Sequence, residues 1–316
     1  MRHSQPQDWL DEAYSQSDNQ AYRIRKYLML DITETNAQAI TSQFSIPPKP
    51  TVLIAIQQEL AKPDPDPVDF ADVIAQDVAL SAVVLKTVNS PIFGISRELS
   101  DIRQAVILLG ADKLKHLITY FTLRKSLGGK ASISLEKFWD NTMEVATMSQ
   151  LVLKYMADKV DLHPEDLYAL GLFRDCGIPL MAMKYDNYKD VLFEANHSPH
   201  HVFTDIEEGH YRTNHAIVGY FVASSWNLPK SLCELVLRHH EPDFINDESV
   251  TESQKDLYCL IKIASKAATK YKYGKIDAEW PMAKELVLTR LGMSDIDYED
   301  MLADLLEEYH SQYGEL

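Results

Sequence analysis

Cationic residues are scarce in this chain: 31 Lys and Arg stand against 47 Asp and Glu, for a formal net charge of −16. Affinity for nucleic-acid phosphates or anionic membranes comes from Lys and Arg that displace counterions. The balance therefore argues against broad binding to either. Cysteine is nearly absent: Cys176, Cys233 and Cys259 are the whole set, odd in number and each in an apolar stretch. That excludes a disulfide framework and points to buried thiols in a reducing compartment. No apolar run approaches the ~18 residues of a membrane helix. The N-terminus, MRHSQPQDWLDEAYSQSDNQ, has no apolar signal-peptide core. Gly128-Gly129 precedes Lys130 without the earlier glycine that a phosphate-binding loop needs, and no Gly-x-Ser-x-Gly elbow is present. The expectation is a cytoplasmic protein with no membrane span.

What the chain does have is apolar material at helical spacing. Hydrophobic residues make up 46 % of 316, enough for the core of one large domain or two ordinary ones. Val52, Ile56 and Leu60 recur every fourth residue in TVLIAIQQELA. Asp66 with Pro67, Asp77, Ser100, Thr213 and Ser294 are the predicted helix caps. Residues 136–157 read as a long helix, and 164–176 as a helix apolar nearly all round, hence buried. The tail after Met293 carries eight acidic residues and no Lys or Arg, with Met301, Leu302 and Leu305 as a narrow apolar stripe. It reads as a solvated helix packed by that stripe. Lys113, His116, Tyr120 and Arg124 form a basic stripe read as a solvated helix face. His197, His200 and His201 read as a loop or helix end. No alternating strand pattern of any length occurs, so the fold class is all-α. The predicted divisions are leading helices at 1–43, a helical half at 44–128, a second half at 129–272 beyond the Gly128-Gly129-Lys130 break, and an acidic helical tail at 273–316.

Several polar residues fall on apolar stripes. Asn141 shares a stripe with Phe138, Val145 and Met148; Asp175 with Tyr168 and Leu172; His215 with Val218, Gly219 and Val222. His239 sits with Leu232, Leu235 and Val236, and His240 with Cys233, Val236 and Leu237. Histidines and carboxylates brought together from separate helices are a common way to build a metal site. Periodicity alone is equally satisfied by separate, individually hydrogen-bonded core residues. One further oddity is GLFRDCGIPLM, residues 171–181, where Arg174 and Asp175 stand side by side among apolar residues. A buried charge is costly unless paired. Adjacent helical residues diverge, so pairing requires the helix to end there, and Gly177 and Pro179 supply the ending.

The segment from Phe44 to Gly110 resembles the first half of the HDOD domain, a bacterial relative of the HD phosphohydrolases. The resemblance rests on Pro47, Pro48 and Pro50, on Ile74, Asp77, Leu80 and Ser81, on Asn89, Ser90, Phe93 and Gly94, and on Ile102 to Gly110. FWDNTMEVA, ALGLFRDCGIPLM and HAIVGYFVASSWNLPKSLCELVLRHHEP continue it, to about residue 270. It implies a multi-helix HD-like bundle with an N-terminal helical subdomain. HD enzymes hold one or two metal ions with an early His, an adjacent His-Asp pair and a late Asp. In this chain those positions fall on Asn141, Arg174, Asp175 and Ser265, and only Asp175 keeps its ligand type. His215, His239 and His240 correspond to histidines that some members add. A guanidinium cannot deprotonate to bind a metal, and it repels a dication at close range. RHHEPDFIND also lacks the Asp-Gly-x-Gly-Tyr-Pro run that follows His-His-Glu in the HD-GYP hydrolases.

The expectation is therefore a bacterial regulatory HDOD protein with a degenerate site. It has no catalytic residue and no metal or other cofactor, and it acts on signalling proteins by contact. No second recognisable domain is expected, so regulatory input would come from another chain. One alternative is a phosphohydrolase using Fe, Mn, Zn or Mg at Asp175, His215, His239 and His240. Another is a sensor in which Arg174 grips a small anion.

Overall fold

The computed structural model describes residues 43–63, 66–89, 95, 98–199, 201–274 and 278–314. The chain divides into two compact units, Met1–Ser45 and Ile46–Leu316, and every helix named here belongs to the second. The leading helices expected at 1–43 lie outside the described residues apart from Gln43. No β-strand occurs among the described residues, so the all-α expectation holds.

The first half contributes α1 (Thr51–Leu60), α2 (Pro67–Ala75), α3 (Val78–Val88), α4 (Ile102–Leu109) and α5 (Ala111–Ser126). Asp66 accepts from the Val68 N–H at 2.7 Å, with Pro67 opening α2, and Asp77 accepts from Leu80 at 3.0 Å to start α3. The cap of α4 is Asp101, one residue after the expected Ser100. Its carboxylate takes the Arg103 N–H at 2.9 Å.

The second half contains α6 (Leu135–Met156), α7 (Pro164–Phe173), α8 (Ile178–Lys184), α9 (Tyr188–Asn196), α10 (Phe203–Tyr211), α11 (His215–Ser225) and α12 (Lys230–Arg238). After them come α13 (Glu252–Tyr273), α14 (Trp280–Arg290) and α15 (Asp295–Tyr313). The Gly128-Gly129-Lys130 break falls between α5 and α6, yet both sides belong to one compact unit. Helix α7 is buried along its length from Leu167 to Phe173, because α5, α6, α12 and α13 all pack on it. This is the environment its all-round apolar sequence requires. Asn214, not Thr213, caps α11: its side-chain oxygen accepts from Ile217 at 2.8 Å. The acidic tail is helical, and Tyr298, Met301, Leu302, Leu305 and Tyr309 form its buried stripe against α6 and α13.

One expectation fails on α5. The stripe Lys113, His116, Tyr120, Arg124 is not a solvated face, since His116 is 3 % exposed and Tyr120 is fully buried. Helices α1, α3 and α4 cover α5 from one half of the molecule and α7 from the other. A helix packed by both halves has little free surface, which its own sequence does not reveal. Tyr120 is satisfied through its hydroxyl, which donates to the Trp139 carbonyl at 2.6 Å. Both ring nitrogens of His116 lack a hydrogen-bond partner.

Burial, with Lys115 adding to it and Asp112 opposing, pushes the His116 imidazole down from 6.5 to about 4. Between those values the unfolded chain binds a proton that the folded chain does not. Stability from His116 is thus present above pH 6.5 and is lost as pH falls toward 4, by about 3 kcal/mol in full. Urea unfolding of His116→Phe at pH 7.5 and pH 5 is expected to show an acid loss smaller than wild type by about 2 kcal/mol. Identical acid losses would mean that His116 is not held neutral by its burial.

Candidate functional site

Helix α7 ends at Phe173 and residues 174–177 form a turn before α8, so the Arg174 and Asp175 side chains are released from helical divergence. Arg174 Nε lies 3.0 Å from Asp175 Oδ2, but its N–H is not aimed at the oxygen, so the contact is an ion pair without a hydrogen bond. The other carboxylate oxygen faces histidines. Asp175 Oδ1 is 3.2 Å from His239 Nε2 and 3.6 Å from His215 Nε2. His215 begins α11, and His239 and His240 follow the end of α12. His240 Nε2 lies 3.0 Å from His215 Nε2. One ligand atom from each of Asp175, His215, His239 and His240 falls within 4.8 Å of every other.

The far nitrogen of each imidazole is committed. His215 Nδ1 donates to Glu207 Oε2 at 2.7 Å, and His239 Nδ1 donates to the Val236 carbonyl at 2.8 Å. His240 Nδ1 lies 2.7 Å from both oxygens of Glu279. Carbonyls and carboxylates only accept, so each Nδ1 carries a proton, and a ring that is neutral turns its Nε2 lone pair inward; the 3.0 Å contact of His215 with His240 holds a proton on one Nε2 when no ion is bound. His239 Nε2 has no hydrogen-bond partner although it is buried. Phe203 closes the group, stacked on His240 at 5.0 Å and edge-on to His215 at 5.3 Å.

Charges in the site oppose one another. Burial works to raise the Asp175 carboxyl, yet the Arg174 guanidinium with His239 and His215 holds it well below the usual carboxylate range. Burial also works to lower His215, but Glu207 and then Asp175 raise it above the ordinary imidazole value. His239 is lowered by burial against the pull of Asp175. His240 is lowered further, burial outweighing Glu279. Glu279 itself is held far below the usual range: burial opposes its ionisation, and His240 and Lys262 overcome that.

The donor set fits one divalent ion. Three imidazole nitrogens and a carboxylate oxygen are common ligands for zinc and its neighbours, at about 2.0–2.1 Å. Tetrahedral ligands at that length stand about 3.3 Å apart. Three of the six spacings, 3.0, 3.2 and 3.6 Å, lie near this value, and all fall within 4.8 Å. The four residues expected to hold no metal thus form a cluster that could hold one. The guanidinium of Arg174 takes the Asp175 oxygen that a second ion would need.

The other expected positions stay apart. Asn141 accepts a hydrogen bond from Lys272, which also reaches Glu144 at 3.3 Å. Ser265 is a half-buried residue of α13 and brings no carboxylate. His197 Nδ1 donates back to the Phe193 carbonyl at 2.7 Å as a helix end, and His200 lies outside the described residues. Glu207 and Glu279 were missed. Glu207 could have been found, since Phe203 and Tyr211 lie four residues to either side and set it on the apolar stripe of α10. Glu279 stands just before α14, where no periodicity marks it.

The sequence matches the HDOD domain over residues 46–242. The chain belongs to the HDOD family. Among solved structures, an HDOD domain protein from Geobacter sulfurreducens has TM-score 0.65 and 25 % identity, covering 88 % of this chain and 95 % of that one. An uncharacterized protein of Treponema pallidum is 27 % identical over 199 residues, 62 % of this chain and 37 % of that protein. The cyclic di-GMP phosphodiesterase CdgJ of Vibrio cholerae is 29 % identical over 137 residues, 42 % of this chain and 30 % of its own length. The HDOD chain thus spans about a third of the length of the curated relatives it matches. No helix among the described residues is long and apolar enough to cross a membrane.

Proposed function

We propose that this HDOD protein is a bacterial, cytoplasmic regulatory component that acts through contacts with signalling proteins and not by hydrolysis. The observation that carries the reading is Arg174, set 3.0 Å from Asp175 where an HD enzyme has the His of its metal corner. A fixed cation there neutralises the carboxylate that would otherwise be free to hold a metal ion. Access supports the same reading. His215 is fully buried, and the Asp175 and His240 side chains are 19 % and 11 % exposed. A cavity of about 370 Å³ lies between α1, α5 and the turn at Asn227 to Pro229, and no residue of the cluster lines it. Exposed apolar side chains at Val78 (79 %), Ile107 (77 %) and Leu108 (51 %) on α3 and α4 suit a protein partner.

The gathering of three imidazole nitrogens and an Asp175 oxygen within 4.8 Å of one another favours a second reading, a metal-dependent phosphohydrolase with a rearranged site. A divalent ion held by Asp175, His215, His239 and His240 would supply Lewis acidity and lower the pKa of a bound water. This chain's own residues would orient the three imidazoles, keep Asp175 ionised and exclude bulk water behind Phe203. The test is turnover of cyclic di-GMP and of a phosphomonoester with added Mn²⁺, Fe²⁺ or Zn²⁺, using Asp175→Ala as the blank. Wild type is expected to match the blank. Turnover that disappears in Asp175→Ala would overturn the regulatory reading.

A further inference from the structure

We propose that Glu207 and Glu279 are positioning residues that lock His215 and His240 with the proton on Nδ1, and so preform a site for a single divalent ion of tetrahedral preference. The inference rests on the cluster holding a metal and not on hydrolysis.

Glu207 has no exposed surface. An ionised carboxylate in such a place is costly unless donors saturate it. Three do: the Tyr188 hydroxyl donates to Oε1, while Oε2 accepts from the His215 backbone N–H at 3.0 Å and from its Nδ1–H at 2.7 Å. One acid therefore holds both the first backbone amide of α11 and the ring that the helix presents. The arrangement fixes where His215 starts and which of its nitrogens is free.

Glu279 does the same for His240 from another element. It receives His240 Nδ1 at 2.7 Å, Lys262 Nζ at 3.1 Å and the Phe203 backbone N–H at 3.0 Å. Phe203 is the first residue of α10, the helix that carries Glu207. The two carboxylates are thus joined: Glu279 anchors the start of α10, and α10 delivers Glu207 to His215. His239 needs no acid, because the Val236 carbonyl already fixes its tautomer. A buried carboxylate behind a ligating imidazole orients the ring and strengthens it as a ligand. Packing alone would be served by any side chain of the same volume. What a carboxylate adds over a neutral acceptor at both places is negative charge, which strengthens the imidazole as a ligand.

The test uses full-length protein stripped of metal with a chelator and titrated with Co²⁺, which reports tetrahedral coordination by its visible absorption. Wild type is expected to bind one Co²⁺ per chain with tetrahedral bands, displaced by Zn²⁺. Glu207→Gln and Glu279→Gln are each expected to weaken Co²⁺ binding about 10- to 100-fold. Their metal-free circular dichroism should match wild type. Should Glu207→Gln fail to fold, Glu279→Gln decides, its side chain being 12 % exposed. A wild type that binds no Co²⁺ would overturn the metal-holding reading of the cluster. Wild-type binding that both variants match in affinity and spectrum would overturn the role of the carboxylates alone. Octahedral spectra would overturn the tetrahedral assignment.

Discussion

Gly177→Ala is expected to be among the most destabilising single-methyl changes in the protein, and to displace His215. A Cβ at Gly177 would lie 2.0 Å from the His215 carbonyl oxygen and 2.6 Å from the Gly219 nitrogen. Both are backbone atoms, so no side chain can rotate away. Helices α8 and α11 approach this closely because neither crossing residue has a side chain. Relief requires the two helices to separate by more than an ångström. Overpacking of this kind costs about 3 kcal/mol, with a fall in Tm on the order of 5–10 °C. The variant should also lose Co²⁺ binding, since His215 moves with its carbonyl. Gly209→Ala is the control. A Cβ there meets nothing within 4 Å, and the residue lies inside α10. Its expected effect is a gain of about 0.5–1 kcal/mol from helix propensity. Thermal melts of the two variants decide: equal Tm values would contradict the close approach of α8 and α11.

Asp175→Asn is expected to cost about 3 kcal/mol and Arg174→Gln a similar amount, while the double variant costs far less than their sum. The pair is nearly enclosed, with side chains 14 % and 19 % exposed. Removing either charge leaves the other without its nearest counter-ion. His215 and His239 face Asp175 from the opposite oxygen. A double-mutant cycle by urea unfolding should give a coupling of about 2 kcal/mol. A coupling near zero would show that Arg174 is not held by Asp175. Linkage supplies a second readout. The Asp175 carboxyl lies well below its ordinary value of 3.8 in the folded chain, so its contribution is present above that value. It is lost as pH falls through the folded value. Asp175→Asn should remove this part of the acid limb and leave the slope above pH 5 to the histidines.

Much of the site was legible from helical stripes. Asp175, His215, His239 and His240 each fall on the inward face of their own segment, and they are the four that meet. The turn after Phe173 was legible too, because Gly177 and Pro179 stop the helix and let Arg174 reach its neighbour. Asn141 obeyed the same stripe rule and still went elsewhere, to Lys272 on α13. A stripe states which side of a helix is covered, but not by what. Ser100 and Thr213 were each one residue away from the true caps, Asp101 and Asn214. Two good capping residues stood side by side there, and only the path of the chain into the helix chose between them.

The sequence by itself determined the helical class, the buried course of α7 and the packing stripe of the tail. These follow from local spacing and side-chain chemistry, which act within a few residues. Tertiary structure alone decided three other things. The first is that both halves enclose α5 and bury His116 in a neutral state. The second is that Asp175 divides its oxygens between a guanidinium and two imidazoles. The third is that Glu207 and Glu279 stand behind the histidines. In each case the outcome depends on donors and cover supplied by elements far apart in the chain. Burial of a charged or titratable group is settled by what the whole fold places around it, and that is not a property of the segment carrying the group.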